Sequence, residues 1–267
     1  SGRVETLQLL VRREQGVITV SGQAKLDGVA ADVTGVVVRD VQGQLAFTNN
    51  QVYFLGTTAK VGNQEFELKG KISTDTTDPA LDLAVVAKHL DLAALGQEVP
   101  LTGIAQGSAL VRGTAANPVV SGELRLPQGR IDAYDVTAAR IRFDLSGGVA
   151  TIHELSAEMF GGQVTATGTL DIASRYLRGN ASGRNLDLAA IPGLPFSLAG
   201  KGDLDLRLEG PARLNEIQVA GTAKIAGGSA EGVTFAQAEA GFYRTADQLV
   251  IDYLTVDFNP GILTAQG

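Results

Sequence analysis

Apolar residues recur at every second position through most of this chain. In "EFELKGKI", Phe66, Leu68, Gly70 and Ile72 alternate with Glu65, Glu67, Lys69 and Lys71. "GELRL" sets Leu124 and Leu126 against Glu123 and Arg125, and "RIRFDL" sets Ile141, Phe143 and Leu145 against Arg140, Arg142 and Asp144. "GQVTATGTLDI" places Val164, Ala166, Gly168, Leu170 and Ile172 on one side, and "DLDLRL" does so with Leu204, Leu206 and Leu208. Period two with one apolar and one polar face is the signature of antiparallel strands solvated on one side. Turn-forming clusters punctuate the runs: "TNNQ" at 48–51, "DTTDP" at 75–79, "SGG" at 146–148. Long amphipathic helical patterns are missing.

The pattern repeats on a larger scale. "KHLDLAALG" at 88–96 returns as "RNLDLAAIPG" at 184–193. "VSG" ending at Gly22 returns at Gly122 and as "VAG" at Gly221. Each is followed by a turn ("VGN" to Asn63, "FGG" to Gly162, "NPG" to Gly261) and by a strand closing on Gly70, Gly168 or Gly267. The spacing predicts one continuous β-repeat array over 1–267, with units of about a hundred residues, approximately 1–88, 89–184 and 185–267. The two "LDLAA" phrases fall at the junctions. Asp91 and Asp187 are placed to cap a first turn, so one or two turns of helix are expected at each. The first should end at Gly96, the second before Pro192. Leu92, Leu95, Leu188 and Ile191 are expected against the apolar face of the sheet. The chain stops within a strand-like pattern, "GILTAQG", and reads as a fragment of something longer.

Some twenty strand-like runs at about 4.8 Å each would make a sheet on the order of 90 Å across, with an apolar strip along it. Such a strip must pack on a second sheet, fill its own solenoid, or curl into a trough around an apolar ligand. Hydrophobic residues make up 44% of the chain but aromatics only 5%, and Trp is absent. Side-chain volume for a sandwich core is therefore limited. Periodicity and composition together give an elongated all-β repeat protein and leave these three arrangements open.

Charge and chemistry narrow the classes further. Net charge is −7 and the pI about 4.9, against the basic footprint that nucleic acid needs. Without Cys there is no disulfide framework, zinc–thiolate site or thiol nucleophile. His89 and His153 lack partners at ligand spacing and read as surface or sheet residues, so no metal and no cofactor is expected. Asp75 with Asp78, and Asp203 with Asp205, read as solvated turn or outer-face carboxylates. Ser108, Ser121 and Ser229 sit in no nucleophile elbow. "NAS" at Asn180 is an incidental acceptor pattern, and Met159 reads as filler. The expectation is a protein that is not an enzyme.

The stretch Gly113 to Ile172 resembles the repeat unit of the TamB family, within the AsmA-like group of bridge-like lipid transport proteins of diderm bacteria. The matching features are Gly113, Thr114, Pro118 and Gly122 at its start, Gly129 and Ile131 at a turn, and Gly161, Gly162, Gly168 and Ile172 at its close. The outer units are looser: Pro211 stands where the Thr would be, and the first unit lacks the Asn-Pro element. The resemblance implies a β-taco, an elongated antiparallel sheet curled to a U-shaped groove with short helices at the repeat junctions. It implies a parent anchored in the inner membrane through a segment absent here, crossing the periplasm to an Omp85-class outer-membrane barrel partner. Phospholipid would be the cargo. The alternatives are a scaffold or chaperone for outer-membrane β-barrel assembly, or a passive structural surface repeat.

On that reading the groove is lined by Phe66, Leu68 and Ile72 in the first unit, and by Leu124, Leu126, Ile141, Phe143, Leu145, Val164, Leu170 and Ile172 in the second. Leu204, Leu206, Leu208, Val219 and Ile225 complete it in the third. A lining without charges suits sliding acyl chains, because an ion on the floor would be a desolvated obstacle.

Overall fold

The computed structural model describes residues 2–33, 36–74, 76–95, 100–191, 197–213, 216–244, 248–258 and 260–267. Asp75, Gly96 and Pro192, and the side chain of Leu95, lie outside the described residues. Among the described residues the protein is all-β, with eighteen strands in an open antiparallel sheet. The first six are β1 (Arg3–Glu14), β2 (Val17–Val33), β3 (Val36–Thr48), β4 (Gln51–Val61), β5 (Gln64–Ser73) and β6 (Ala80–Asp91). Then come β7 (Leu101–Thr114), β8 (Pro118–Ile131), β9 (Tyr134–Ser146), β10 (Val149–Met159), β11 (Gly162–Asp171) and β12 (Tyr176–Asp187). The last are β13 (Leu198–Pro211), β14 (Gln218–Ala230), β15 (Val233–Phe235), β16 (Gln237–Arg244), β17 (Leu249–Asp257) and β18 (Ile262–Gln266). Two 3₁₀ turns, Leu92–Leu95 and Leu188–Ala190, follow β6 and β12. They occupy the "LDLAA" phrases, as the short helical turns expected at the junctions, and they are 3₁₀ rather than α because each apolar run is too short to reward an α-helical nucleus.

The chain divides into two compact units: 1–95 with 104–125 and 144–147, and 96–103 with 126–143 and 148–267. In the first unit each strand pairs antiparallel with the next, from β1 through β6 to β7. In the second the same holds from β10 through β14, which pairs with both β15 and β16, and on to β18. Short connections between sequential strands make this meander the simplest way to satisfy every backbone donor.

The ladders are interrupted at recurrent places. Register shifts fall between Leu55 and Thr57, Ala87 and Leu90, and Gly183 and Leu186. Gly56 takes φ 84° and Asn185 φ 55° there, and in β9 Ala138 takes φ 51°. A bulge inserts one residue, bends its strand, and moves the apolar alternation by one position. In β6 and β12 the bulge residues are Lys88–His89 and Arg184–Asn185, immediately before "LDLAA". The repeated phrase is thus a structural unit: a bulge, a buried Leu (Leu90, Leu186), a capping Asp (Asp91, Asp187), then a second buried Leu (Leu92, Leu188). The Asp91 and Asp187 carboxylates accept from the amides of Ala93 and Ala189 at 3.0 and 3.2 Å.

Among the described residues full burial is found beside these bulges and turns and in a separate cluster of Phe235, Ala238 and Val256. In the first unit the buried residues include Thr57, Ala59, Gln64, Ala87, Leu90, Leu92 and Ala105; in the second, Leu126, Val136, Ala139, Ala157, Leu186, Leu188, Phe235, Ala238 and Val256. Gln64 is satisfied there by donating to the Asp91 carbonyl at 3.1 Å and accepting from the Asp91 amide at 2.9 Å. Elsewhere the apolar face is half-buried at best.

Candidate functional site: an apolar sheet face

Strand pairing sets the apolar residues of the second unit side by side. From β10 through β14 one row runs Leu155, Ala166, Ala181, Leu206, Gly221. A neighbouring row runs Ile152, Gly168, Gly179, Leu208, Val219, and another runs Ala157, Val164, Gly183, Leu204, Ala223. Cross-strand pairs on one face are the unit of sheet packing. Here large side chains stand opposite small ones, and each leans over its partner. A Cβ at Gly221 would lie 2.8 Å from Leu206 Cδ2, and one at Gly202 would lie 3.1 Å from both Leu188 methyls. The same device places the Tyr253 ring over Gly241 and Phe47 over Gly22. Leucines that lie down across glycines make a shallow, continuous apolar field.

Of the sixteen residues expected to line a groove, Leu126 is buried beside a bulge. Phe66, Leu68, Ile72, Leu124, Ile141, Phe143, Leu145, Val164, Leu170, Leu204, Leu206, Leu208, Val219 and Ile225 are half-buried. Ile172 falls just past the end of β11 and is 50% exposed. Their polar neighbours Lys69, Arg125, Arg142 and Arg207 are exposed on the other face. Sequence alternation missed Ala105, Val136 and Leu186, among the most buried apolar residues. The duplicated phrase, which placed Leu92 and Leu188 against the sheet, was the signal that could also have pointed to Leu186.

The opposite face is a lattice of exposed ion pairs. Arg184 reaches Asp205 at 2.6 Å, Arg178 reaches Glu209 at 3.1 Å, Arg142 reaches Glu154 at 3.2 Å and Lys88 reaches Glu67 at 3.3 Å. The Arg184 guanidinium, with help from the Ser182 hydroxyl, holds the Asp205 carboxyl below its usual range. Arg178 and then Tyr176 do the same for Glu209. Pairs this exposed contribute little stability each, but they give the sheet a wet side. Hollows lie on this polar side, one of about 310 Å³ bounded by Lys201, Asp203, Lys224 and Glu239. His89 stands opposite Glu65 and borders another, and His153 is exposed on β10. Asp78 accepts from the Ala116 amide at 2.9 Å, a turn-bracing role. Ser108 and Ser121 are exposed and Ser229 half-buried in plain strands; Asn180 is exposed and Met159 half-buried. Among the described residues no group of three His, Asp or Glu side chains is placed to hold a metal ion, and no helix is long and apolar enough to cross a membrane.

Comparison with known proteins gives one match. The TamB C-terminal domain matches residues 56–156, from β4 into β10. No curated protein and no solved structure matches the chain. The matched stretch includes Phe66, Leu68, Ile72, Leu124, Leu126, Ile141, Phe143 and Leu145, and the same six-strand order with its bulge and "LDLAA" turn recurs on either side of the match's end. That match covers 101 of the 267 residues, so the middle of the strand array is similar to the TamB family.

Proposed function

We propose that the apolar face is a non-enzymatic conduit floor for the acyl chains of phospholipid, in a periplasmic bridge between inner and outer membranes. The observation that carries this reading is the half-buried state of the leucine rows. In a sandwich core Leu204, Leu206 and Leu208 would be closed off; here they keep contact with solvent while their polar neighbours occupy the other face. Each methylene taken from water is worth about 0.8 kcal/mol, so an acyl chain laid on the rows gains a large driving force. Rows of Leu, Ala, Val and Gly offer no hydrogen bond and no charge, so position along them is energetically even and a chain can slide. Similarity to the TamB family supports a part in lipid or outer-membrane protein transport. The parent's membrane anchor and an Omp85-class partner at its far end belong to the same proposal. Mass spectrometry of organic extracts of the purified protein tests it. Phospholipid in stoichiometric amount is expected, and an extract free of phospholipid from protein expressed in a diderm host would reject it.

A further inference from the structure

Followed along the strand pairings from β10 to β18, the rows of the apolar face hold one charged side chain among the described residues. The row Ile152, Gly168, Gly179, Leu208, Val219 continues onto β16 at Arg244 and onto β17 at Leu249. Residues directly opposite each other across a ladder share a face. Arg244 therefore stands with Val219 and Leu249, and not with the ion pairs. The rows beside it are apolar through the same three strands: Gly221, Phe242 and Ile251, then Ala223, Ala240 and Leu254, then Ile225, Ala238 and Val256.

The repeat shows what Arg244 replaces. The buried Val136 and Ala139 of β9 return as Phe235 and Ala238. At that same offset Phe143 and Leu145 return as Phe242 and Arg244. A leucine place in one series is a cation in the next, on a face where a desolvated ion is costly. The strand ends explain why the cation is tolerated. β16 closes on Arg244 and β17 opens on Leu249, so the side chain stands at the rim of the sheet, exposed, with its guanidinium able to stay in water.

The lane from this rim to the crease has the length of one acyl chain. Alternate residues of a strand are about 6.8 Å apart, so Arg244, Phe242 and Ala240 span about 14 Å along β16. The next residue on that face, Ala238, is closed off in the cluster with Phe235 and Val256. A bilayer core of about 30 Å holds two leaflets, so the acyl chains of one leaflet reach about 15 Å. Phe242 and Ala240 are half-buried, with Gly221 and Ala223 on one side and Ile251 and Leu254 on the other. A cation at one end, a closed end at the other and an uncharged lane between them match the layout of a phospholipid.

We infer that Arg244 holds the phosphodiester of a glycerophospholipid at the rim while an acyl chain lies along β16 over Phe242 and Ala240. Its guanidinium can direct two N–H groups at two phosphate oxygens, a geometry that a lysine ammonium matches only as a point charge. The inference rests on the conduit reading. It adds one place where a lipid is held by its headgroup, in contrast to the even leucine rows.

The test places a photo-crosslinking amino acid at Ile251, beside Phe242, in the whole 267-residue protein. The same probe at Leu155, on β10, serves as the reference. Phosphatidylglycerol and diacylglycerol with identical chains are offered separately in detergent micelles. The probe at 251 should capture phosphatidylglycerol. Arg244→Leu, which installs the residue β9 carries at this place, should lower that capture about tenfold, the order of one charge-assisted contact. Arg244→Lys should fall between, and capture at 155 should not change in either variant. Diacylglycerol should be captured at 251 equally with and without Arg244. Millimolar glycerophosphoglycerol, which has the phosphodiester and no chains, should not displace the lipid. Undiminished capture at 251 in Arg244→Leu, an equal loss at 155, or the same dependence on Arg244 for diacylglycerol would each overturn the inference. Displacement by glycerophosphoglycerol would also overturn it, since it would mean a site for free phosphodiester. Any of these results with phospholipid still captured at 155 leaves the conduit reading standing; no capture at either probe defeats both.

Discussion

Leu186 and Leu206 are both leucines on the apolar side of the second unit, and the account requires them to respond differently to truncation. Leu186 is 2% exposed, packed beside the bulge at Arg184–Asn185 and against Gly183. Leu206 is half-buried and lies across Gly221 on the open field. Leu→Ala removes three carbons, worth roughly 2.4 kcal/mol of transfer free energy when fully buried. At Leu186 the walls cannot collapse fully, so a cavity term brings the expected loss to about 3–4 kcal/mol. At Leu206 part of the side chain already meets water and no closed cavity forms. The transfer term shrinks to about 1–1.5 kcal/mol and nothing is added to it. Equilibrium urea denaturation of the two variants, followed by far-UV circular dichroism, measures both losses against one reference. A ratio near two or three supports a single layer with a buried bulge line and an open floor. Equal losses of 3 kcal/mol or more at both positions would refute it, because they would mean that Leu206 is covered by a second layer.

Two further outcomes follow. Gly221→Ala would set a Cβ 2.2 Å from the Asp205 carbonyl oxygen and 2.8 Å from Leu206 Cδ2, so the strands must part and a loss of about 1–3 kcal/mol is expected on thermal melting; an unchanged melting temperature would contradict the lying-down arrangement. Glu67, Asp205 and Glu209 are held below their ordinary values by Lys69, Arg184 and Arg178 respectively. The folded state therefore binds fewer protons than the unfolded one. Their contribution is complete above the ordinary values of 4.5 for Glu and 3.8 for Asp and is lost as pH falls through the lower folded values. Stability measured by urea titration should be insensitive to these groups between pH 6 and 8, where they stay ionised in both states, and should decline below about pH 4.5. A decline that begins near pH 6.5 would contradict this assignment.

Strand identity and face were legible wherever the alternation ran unbroken, as in β11 and β13, where every second residue is half-buried as read. Bulges were not legible. Leu55 and Phe54 look interchangeable in "VYFLG", yet the kink at Gly56 leaves Leu55 exposed and turns Thr57 and Ala59 inward. In β9, Val136 and Ala139 are both buried although three positions apart, because Ala138 takes the left-handed conformation between them. A one-residue insertion changes which side a residue faces without changing composition, so period counting passes over it. The buried residues are also small (Ala59, Ala87, Ala105, Ala157), and small residues carry weak hydrophobic signal even where packing is tightest. Alternation therefore reads the faces of the unbroken strands and misses the crease of bulges beside them.

The central claim is that one face of this sheet is a lipid floor and the other is not, and adjacent residues on β13 can decide it. A photo-crosslinking amino acid at position 206 points with the leucine rows; at position 207 it points with the ion pairs. In the full-length parent, in cells, crosslinking at 206 should capture phospholipid and crosslinking at 207 should not, with the same contrast at Phe143 against Arg142 and at Leu68 against Lys69. Capture at neither position of any pair, or in equal yield at both, would contradict the account.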